Sequence, residues 1–249
     1  MKLYGLIGYP LSHSFSQKYF KDKFKKESLK EFKYENFELK SIGEFHNLIQ
    51  QQPILAGLNV TIPYKQQIMG MLDCIDKEAN EIGAVNCIKV DRSGKEPKLI
   101  GYNTDIYGFE NALRPLLKHH HKKALILGTG GSSKAVAFAL KKLGIEFLLI
   151  SRSPSDCNQI RYTILNETIL KEHTLIVNTT PLGMFPNVEY FPPIPYEHIC
   201  ENHLLFDLIY NPDKTRFLRN GGKQGATIIN GYEMLRLQAE RSWEIWNGK

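Results

Sequence analysis

A lysine in an unusual position is the first candidate for chemistry. In the stretch GLNVTIPYKQQ, an apolar run leads through Thr61 and Pro63 into a polar segment whose pattern predicts a helix over 64–72. Thr is a natural N-cap, and Pro is favoured in the first turn, where its missing N–H costs nothing. Lys65 then falls in that turn, where its ammonium faces the positive end of the helix macrodipole, a loss of ~0.3 kcal/mol or more. A residue that is unfavourable for the helix invites a functional explanation.

A glycine-rich turn is the second candidate. Gly128-Thr-Gly130-Gly131-Ser-Ser133 follows the apolar run KALILG and opens an apolar-periodic helix. Backbone N–H groups and a helix N-terminus in this context can hold a pyrophosphate, and the glycines allow its close approach. Ser133 takes the place of the third glycine of the usual pattern and is small enough for the same packing. The sequence predicts a dinucleotide site, with a ligand-free tight turn as the alternative.

The second strand, FLLISRS, indicates which dinucleotide would bind. NAD sites usually carry Asp or Glu after this strand, whereas this chain has Arg152. A guanidinium suits the 2′-phosphate of NADP through a charge-assisted, bidentate contact. A solvated surface Arg is the alternative. Asp156, four positions later, would repel a phosphate, and Arg161 could compensate, so NADP is predicted and strict preference for it stays open.

A dinucleotide site beside a separate α/β segment suggests an oxidoreductase and gives Lys65 a use. Hydride transfer to a ketone leaves a developing alkoxide that needs a proton. An ammonium whose pKa is lowered by a helix N-terminus can supply it and take it back in reverse. Asp105, in GYNTD, is the anionic partner that such a lysine needs. The alternatives are a solvated surface lysine and an aspartate that caps, or lies in the first turn of, a helix over 106–117.

The loop GYPLSHSFSQ carries hydroxyls before a helix. Ser14 and Gln17 have the spacing of a capping box, which needs no ligand. Ser12, Ser14 and Ser16 would equally suit a hydroxylated, carboxylated substrate. The sequence leaves both readings open.

Short apolar runs alternate with helical patterns along the chain, which predicts an α/β fold with a mostly parallel sheet covered by helices. The pattern changes after Thr104, and a domain boundary is expected near residue 105. Strands are predicted over 2–7, 33–39, 55–60, 85–90, 98–102, 123–128, 147–153, 175–178, 204–207 and 227–229, and helices over 16–26, 42–51, 64–72, 77–81, 106–117 and 232–246.

Composition narrows the function classes. The chain has 249 residues, 42% hydrophobic content and a formal charge of +6. Its basic residues are scattered, which favours small anionic ligands and gives no nucleic-acid surface.

The four cysteines match no zinc spacing and are expected to be reduced thiols. No signal peptide or membrane-length run is present, so a cytoplasmic protein is expected. Consecutive side chains of the run at 119–121, three histidines, point in different directions, so no metal is assigned.

Taken together, these motifs resemble the shikimate dehydrogenase family over residues 8–246. The matching segments, in chain order, are the Ser-x-Ser loop at Ser14 and Ser16, NVTIPYK (59–65), GAVN (83–86), GYNTD (101–105), GTGGSS (128–133), SRS (151–153), NTTPLGM (178–184), DLIYNP (207–212) and NGYEMLRLQA (230–239). Each motif is weak alone, but their common order is a strong signal.

The resemblance implies the reversible NADPH-dependent reduction of 3-dehydroshikimate to shikimate, in chorismate biosynthesis. It implies two lobes with the active site in their cleft: a substrate domain (1–104, joined by the C-terminal helix at 231–249) and a Rossmann-like NADP-binding domain (105–230). The implied roles are a catalytic pair, Lys65 and Asp105; substrate contacts at Ser14, Ser16, Asn59, Thr61, Asn86, Tyr210 and Gln238; and cofactor contacts at Gly128, Gly130, Gly131, Ser132, Arg152, Thr180, Met184 and Gly231.

The sequence leaves two alternative functions open. One is a quinate/shikimate dehydrogenase that uses NAD, and another is a non-catalytic nucleotide and metabolite sensor on the same scaffold. The stretch 154–173 is short for a full crossover, so the adenosine side of the cofactor domain is expected to be trimmed. A monomer or a homodimer is expected.

Overall fold

The computed structural model describes residues 1–11 and 14–248, which places Ser12 outside the described residues. The chain forms two units, each with its own sheet. Unit 1 consists of Met1–Asp105 and Gln238–Lys249, and unit 2 consists of Ile106–Leu237. Asp105, which the domain prediction assigns to the second domain, belongs to unit 1. The assignment of substrate binding and NADP binding to the two domains stays a prediction.

Unit 1 is built on a mixed six-stranded sheet with strand order β2-β1-β3-β5-β6-β4. Its elements are β1 (Lys2–Gly8), α1 (Phe15–Lys26), β2 (Phe32–Glu38), α2 (Phe45–Gln51), β3 (Leu55–Val60), β4 (Cys74–Ile75), α3 (Lys77–Ile82), β5 (Cys87–Asp91) and β6 (Lys98–Tyr102). β5 runs antiparallel to both β3 and β6. The expectation of a mostly parallel sheet is confirmed, since β5 is the one reversed strand among the six, and the short β5–β6 connection can join only antiparallel neighbours.

Unit 2 carries a wholly parallel sheet with strand order β12-β11-β10-β7-β8-β9. Its elements are α4 (Thr104–Leu113, which begins in unit 1), β7 (Lys123–Leu127), α5 (Gly131–Lys142), β8 (Glu146–Ser151), β9 (Gln159–Arg161), α6 (Glu167–Glu172), β10 (Leu175–Asn178), β11 (Leu204–Asp207), α7 (Arg216–Lys223), β12 (Thr227–Ile229) and the first residues of α8 (Tyr232–Trp246), which belongs to unit 1 from Gln238 onward. Reading from β9, this is the doubly wound order of dinucleotide-binding folds, whose ligands bind at the carboxyl ends of the strands.

The predicted helix over 64–72 is wrong. The chain forms a turn there, followed by a 3₁₀ helix at Gln67–Met71. Tyr64 and Ile68 are both buried, and the Tyr64 hydroxyl donates to the Leu39 carbonyl at 2.6 Å. These tertiary anchors hold the segment in a turn and a short 3₁₀ helix, a conformation that is common in brief connecting pieces. The sequence also missed β4, β9, α6 and α7.

The C-terminal helix packs on unit 1 through its aromatic residues. The Trp246 ring stacks on Tyr4 with centroids 4.8 Å apart, and its Nε1 donates to the Ile88 carbonyl at 3.0 Å. Gly57 in β3 lies directly under this indole, and a Cβ there would collide with the ring. The return of α8 to the sheet of unit 1 therefore depends on a glycine in the middle of a strand.

Within the part of the chain that the structure describes, no helix combines the length and the apolar character needed to cross a bilayer.

Candidate active site

Three strand ends of unit 1 meet at one edge of its sheet. β3 and β6 end there, and β5, which is antiparallel to both, begins there. The register pairs Cys87 with Asn59 on one side and with Tyr102 on the other. Segments that follow β3 and β6 and precede β5 therefore leave the sheet at neighbouring points. This topology brings together side chains that are far apart in sequence.

Lys65 and Asp105 form an ion pair at this edge. Lys65 Nζ donates to Asp105 Oδ2 at 2.7 Å, and the two side chains are 26% and 14% exposed. Asp105 also lies in the first turn of α4, where a carboxylate is favourable, so both of its sequence readings hold at once. The macrodipole argument for Lys65 is wrong, because no α-helix begins beside it. The ammonium is held by a carboxylate instead, and it is no solvated surface lysine.

Asn86 fixes the other oxygen of the same carboxylate. Its Nδ2 donates to Asp105 Oδ1 at 2.8 Å. Its Oδ1 accepts from the Thr104 backbone N–H at 2.6 Å, and the Thr104 hydroxyl lies 3.2 Å away. Since an ionised carboxylate can only accept, the amide has one orientation that satisfies both neighbours. Asp105 is thereby held at both oxygens by donors from two different segments.

A buried polar chain extends from this group to the C-terminal helix. The Thr104 hydroxyl lies 3.2 Å from Ser242 Oγ and donates to Gln238 Oε1 at 3.4 Å. Ser242 accepts from Asn59 Nδ2 at 2.9 Å, and Asn59 Oδ1 accepts from the Tyr34 hydroxyl at 2.8 Å. Both ends of the buried Asn59 amide thus have protein partners, which gives it a positioning role, while its contact with substrate stays a prediction.

Ser14 and Ser16 lie at the start of α1, and their contact with substrate stays a prediction. Ser14 is the N-cap of α1, and its oxygen accepts from the Gln17 N–H at 3.4 Å. The predicted cap is confirmed. Ser16 lies near the Tyr34 hydroxyl, whose pKa burial raises well above its usual value. Thr61 follows β3 at the same edge, where its backbone N–H donates to the Ile7 carbonyl at 2.9 Å.

The glycine-rich loop lies at the carboxyl end of β7, in the centre of the sheet of unit 2. Gly128 has φ +105°, and a Cβ there would meet Thr179 and Thr180 at 2.9–3.0 Å. Gly130 is the N-cap of α5 and offers no side chain to its N–H groups. The first turn of α5, which is fully described, has no acidic residue, and a Cβ on Gly130 or Gly131 would meet nothing within 4 Å. These features fit a pyrophosphate.

Two serines complete this loop. The half-buried Ser132 lies in the first turn of α5. The Ser133 hydroxyl donates to the Gly130 carbonyl at 2.6 Å, and its side chain is buried. Serine at the position of the third glycine is thus accommodated by packing, in agreement with its small size.

Two arginines follow neighbouring strands on the adenosine side. Arg152 is exposed directly after β8, and the parallel register pairs Ser151 with Arg161 at the end of β9. Residues 152–158, all of them described, connect β8 to β9 without a helix. The shortened crossover expected from the sequence therefore lies between these two strands. The Asp156 carboxylate accepts from Cys157 Sγ at 3.1 Å and from the Asn158 N–H at 3.3 Å, contacts that lower its pKa. Two guanidinium groups at this edge fit a 2′-phosphate.

The remaining predicted residues of unit 2 lie after β10 and β11. Thr180 is half-buried and donates to Asn178 Oδ1 at 2.7 Å, while Met184 is 49% exposed. Gly231 donates to the Ile209 carbonyl at 3.0 Å, and a Cβ there would collide with the Leu208 backbone. Burial raises the pKa of the nearby Tyr210.

At the opposite end of the strands, ring nitrogens of His120 and His121 lie 3.0 and 3.3 Å from the Asn202 carbonyl oxygen.

Sequence reasoning missed the residues that hold the predicted ones in place. Ser242 had a usable signal, because it follows Gln238 by four positions and shares its helix face. Thr104 adjoins Asp105 within one motif. Tyr34 had no local signal, since only the fold brings its hydroxyl to Asn59.

Comparison with known proteins places this geometry in context. Residues 6–88 match the family model described as shikimate dehydrogenase substrate binding domain. The chain is 40% identical to a shikimate dehydrogenase (NADP(+)) of Clostridium beijerinckii over 99% of this chain and 92% of that protein. Shikimate dehydrogenase from Aquifex aeolicus superposes with a TM-score of 0.86 at 31% identity, covering 100% of this chain and 93% of its own. The enzyme from Thermus thermophilus, in complex with NADP(H) and shikimate, gives 0.86 at 29% identity, covering 100% and 94%.

The buried chain of hydrogen bonds predicts that removing the hydroxyl group from two tyrosines of the same sheet changes the free energy of unfolding by different amounts. Tyr34→Phe leaves the buried Asn59 carbonyl without its donor, so we expect the free energy of unfolding to fall by about 1–3 kcal/mol in urea titrations. Tyr4→Phe is the matched control, because the buried Tyr4 hydroxyl has no partner among the described residues. It should be neutral or stabilising. Equal losses in both variants would contradict the polar chain.

Proposed function

Because the chain belongs to the shikimate dehydrogenase family, we propose that it catalyses the reversible NADPH-dependent reduction of 3-dehydroshikimate to shikimate, in chorismate biosynthesis, with Lys65 and Asp105 as its acid–base pair. The chain is accordingly an NADP-dependent oxidoreductase that acts on a small molecule. The observation that carries the catalytic assignment is the 2.7 Å contact between Lys65 Nζ and Asp105 Oδ2, with Asn86 on the other carboxylate oxygen.

Lys65 is the proposed proton donor in the reduction and the proton acceptor in the reverse reaction. Bound NADPH supplies the hydride to the carbonyl carbon. The Lys65 ammonium has three N–H donors, of which one is used by Asp105, so others remain for the substrate oxygen. It donates a proton to the developing alkoxide, and in reverse the neutral amine takes the hydroxyl proton. Asp105 orients the ammonium, and Asn86 keeps the carboxylate from rotating away.

The cap of α1 and a substrate contact are compatible at Ser14. Its oxygen accepts from the Gln17 N–H, which leaves the hydroxyl hydrogen available to donate to a carboxylate. Ser14, Ser16, Thr61, Asn86, Gln238 and Tyr210 are the proposed contacts to the carboxylate and hydroxyls of shikimate, with Asn59 holding the surrounding segment.

The cofactor assignment rests on unit 2. Gly128, Gly130, Gly131 and Ser132 are proposed to hold the pyrophosphate at the N-terminus of α5. Arg152 is proposed to bind the 2′-phosphate, supported by Arg161 on the adjacent strand. Thr180, Met184 and Gly231 are proposed to lie along the nicotinamide. Asp156 accepts hydrogen bonds within its own turn that favour its charged form, so strict preference for NADP over NAD stays an open point for the cofactor comparison below.

A spectrophotometric assay of NADP⁺ reduction, with shikimate and quinate in parallel, tests the reaction. We expect turnover with shikimate and NADP⁺. Ligand-induced stabilisation without any turnover would support a sensor instead, and faster turnover with NAD⁺ than with NADP⁺ would support the NAD-dependent alternative.

Lys65→Ala should lower kcat for shikimate oxidation by roughly 10²–10⁴-fold, the usual loss for a general acid–base group, with a smaller change in KM. Lys98→Ala is a matched control, because that exposed lysine begins β6 at the end of the strand away from Asp105. It should leave kcat unchanged. An unaltered kcat in Lys65→Ala would remove this residue from the chemistry.

Arg152→Ala should raise the Kd of NADPH by roughly 10- to 100-fold, the equivalent of a lost charge-assisted hydrogen bond, and should barely alter that of NADH. Arg161→Ala should give a smaller change of the same kind. Isothermal titration measures both constants. If Arg152→Ala weakens the two cofactors equally, the guanidinium does not contact the 2′-phosphate.

A further inference from the structure

Two turns of the same kind precede strands of the sheet of unit 2. In the first, before β7, the His121 N–H donates to the Lys118 carbonyl at 3.0 Å, and His121 Nδ1 accepts from the Lys118 N–H at 2.9 Å. In the second, before β11, the His203 N–H donates to the Cys200 carbonyl at 3.0 Å, and His203 Nδ1 accepts from the Cys200 N–H at 3.1 Å. Both rings are buried. The mechanism above uses neither histidine, so this repeated arrangement calls for its own explanation.

The protonation state of both rings follows from these contacts. A ring nitrogen that accepts from a backbone N–H carries no hydrogen, so each imidazole is neutral and bears its hydrogen on Nε2. His203 Nε2 donates to the Leu170 carbonyl at 3.0 Å, and His121 Nε2 lies 3.3 Å from the Asn202 carbonyl oxygen. A proton added at Nδ1 would face the backbone N–H and break the bond that closes the turn. Each turn is therefore complete only while its histidine is neutral.

The histidine run at 119–121 connects the two turns. β7 and β11 are the neighbours of β10 in the parallel sheet, so the amino ends of these three strands lie side by side. His120 Nε2 lies 3.0 Å from the Asn202 carbonyl oxygen, which belongs to the second turn. The His120 carbonyl accepts from the hydroxyl of Thr174, directly before β10, at 3.3 Å. Histidine contacts thus link the starts of three adjacent strands.

We propose that the turns 118–121 and 200–203 form a pH-sensitive switch: they hold the starts of β7 and β11 while His121 and His203 are neutral, and they open when these rings take up protons. The switch lies at the end of the strands opposite to the glycine-rich loop, and it does not depend on the reaction proposed above. Opening loosens the sheet that carries this loop, so acidification lowers the stability of unit 2.

Burial and neighbouring bases oppose protonation of both rings in the folded chain. Burial lowers the pKa of His121. The groups that face this ring and disfavour a further positive charge are Lys118, His120 and His203. Burial also lowers the pKa of His203, which faces His120 and, 3.4 Å from its Nδ1, the Cys200 thiol. The charged groups of the adjacent α6 form ion pairs at the surface, Glu167 with Lys171 and Glu172 with Lys123.

The stability linked to these histidines is lost on the acid side. A histidine in an unfolded chain takes up its proton near pH 6.5, and a buried ring with a lowered pKa does so only at lower pH, so the open state binds more protons between the two values. The opening constant therefore rises as the pH drops below about 6.5, by at most about tenfold per pH unit for each histidine. Asp207 acts in the opposite sense, because burial raises its pKa to about 6 and the folded state then binds more protons. Local measurements separate these contributions.

Amide hydrogen exchange, measured by NMR on the deuterated protein, tests the switch. The protection factor, which corrects for the intrinsic pH dependence of exchange, is compared at about pH 7.5 and 5.5 for the Lys118 and Cys200 amides. It should fall by about 3- to 10-fold at both positions on acidification. The Thr179 amide, which donates to the Leu127 carbonyl at the other end of β7, is the internal reference and should keep its protection.

Substitutions that keep the acceptor but do not titrate isolate each histidine. His121→Asn and His203→Asn place an amide oxygen near the position of Nδ1, so the turn bond persists at both pH values. The pH dependence of protection should disappear at Lys118 in the first variant and at Cys200 in the second.

His173→Asn is the matched control, because this buried ring has its Nδ1 2.8 Å from the Ile169 carbonyl oxygen, a contact that protonation preserves. It should leave the pH dependence of both amides unchanged. Protection at 118 and 200 that is equal at the two pH values in the wild type, or that still changes in the asparagine variants, would overturn the proposal. Should a variant fail to fold, long-range ¹H–¹⁵N spectra of the wild-type imidazoles decide. A bare Nδ1 on both rings at about pH 7.5 that gains a hydrogen as protection falls supports the switch, and a hydrogen already on Nδ1 at that pH contradicts it.

Discussion

The carboxylate of Asp105 is the group around which unit 1 is organised. A partly buried carboxylate needs donors at both oxygens, and here they come from Lys65, after β3, and Asn86, before β5. The Asn86 amide is oriented by Thr104, whose hydroxyl reaches Ser242 on α8. The C-terminal helix therefore does more than cover the sheet, because its polar face supports the geometry of the ion pair.

Unit 2 contains the same arrangement of hydrogen bonds, made by different residues. In each unit an aspartate faces the nitrogen of an asparagine amide, and the amide oxygen accepts from the backbone N–H of a threonine. The two ends of an asparagine amide are alike in shape and differ only in hydrogen bonding. A neighbouring carboxylate removes that ambiguity, since it can pair with just one end. Hydrogen bonding to a carboxylate thus fixes the orientation of the Asn86 amide in unit 1 and of the Asn178 amide in unit 2.

Strand ends explain why these polar groups can exist in otherwise apolar units. At the last residue of a strand or just beyond it, amides and carboxylates can pair with one another across neighbouring segments. Glycines give the space this requires. Gly57 admits the Trp246 ring that fixes α8, and Gly128 lets the segment after β10 approach the glycine-rich loop. Substituting either would displace a whole segment and with it the side chains it carries.

Local pattern determined much of this protein. The strands at 55–60, 98–102, 175–178, 204–207 and 227–229 were predicted with their observed bounds, because short apolar runs between turn residues specify strands. The cap at Ser14 and the glycine-rich turn were equally readable, because their partners lie within a few positions. The helix expected at 64–72 failed, since tertiary anchors held that segment in a turn. The sequence predicted that Lys65 pairs with Asp105, 40 positions away, and the folded chain supplied the geometry of that contact. Only the folded chain could decide the orientation of the Asn86 and Asn178 amides, because those choices depend on partners that sequence spacing does not reveal.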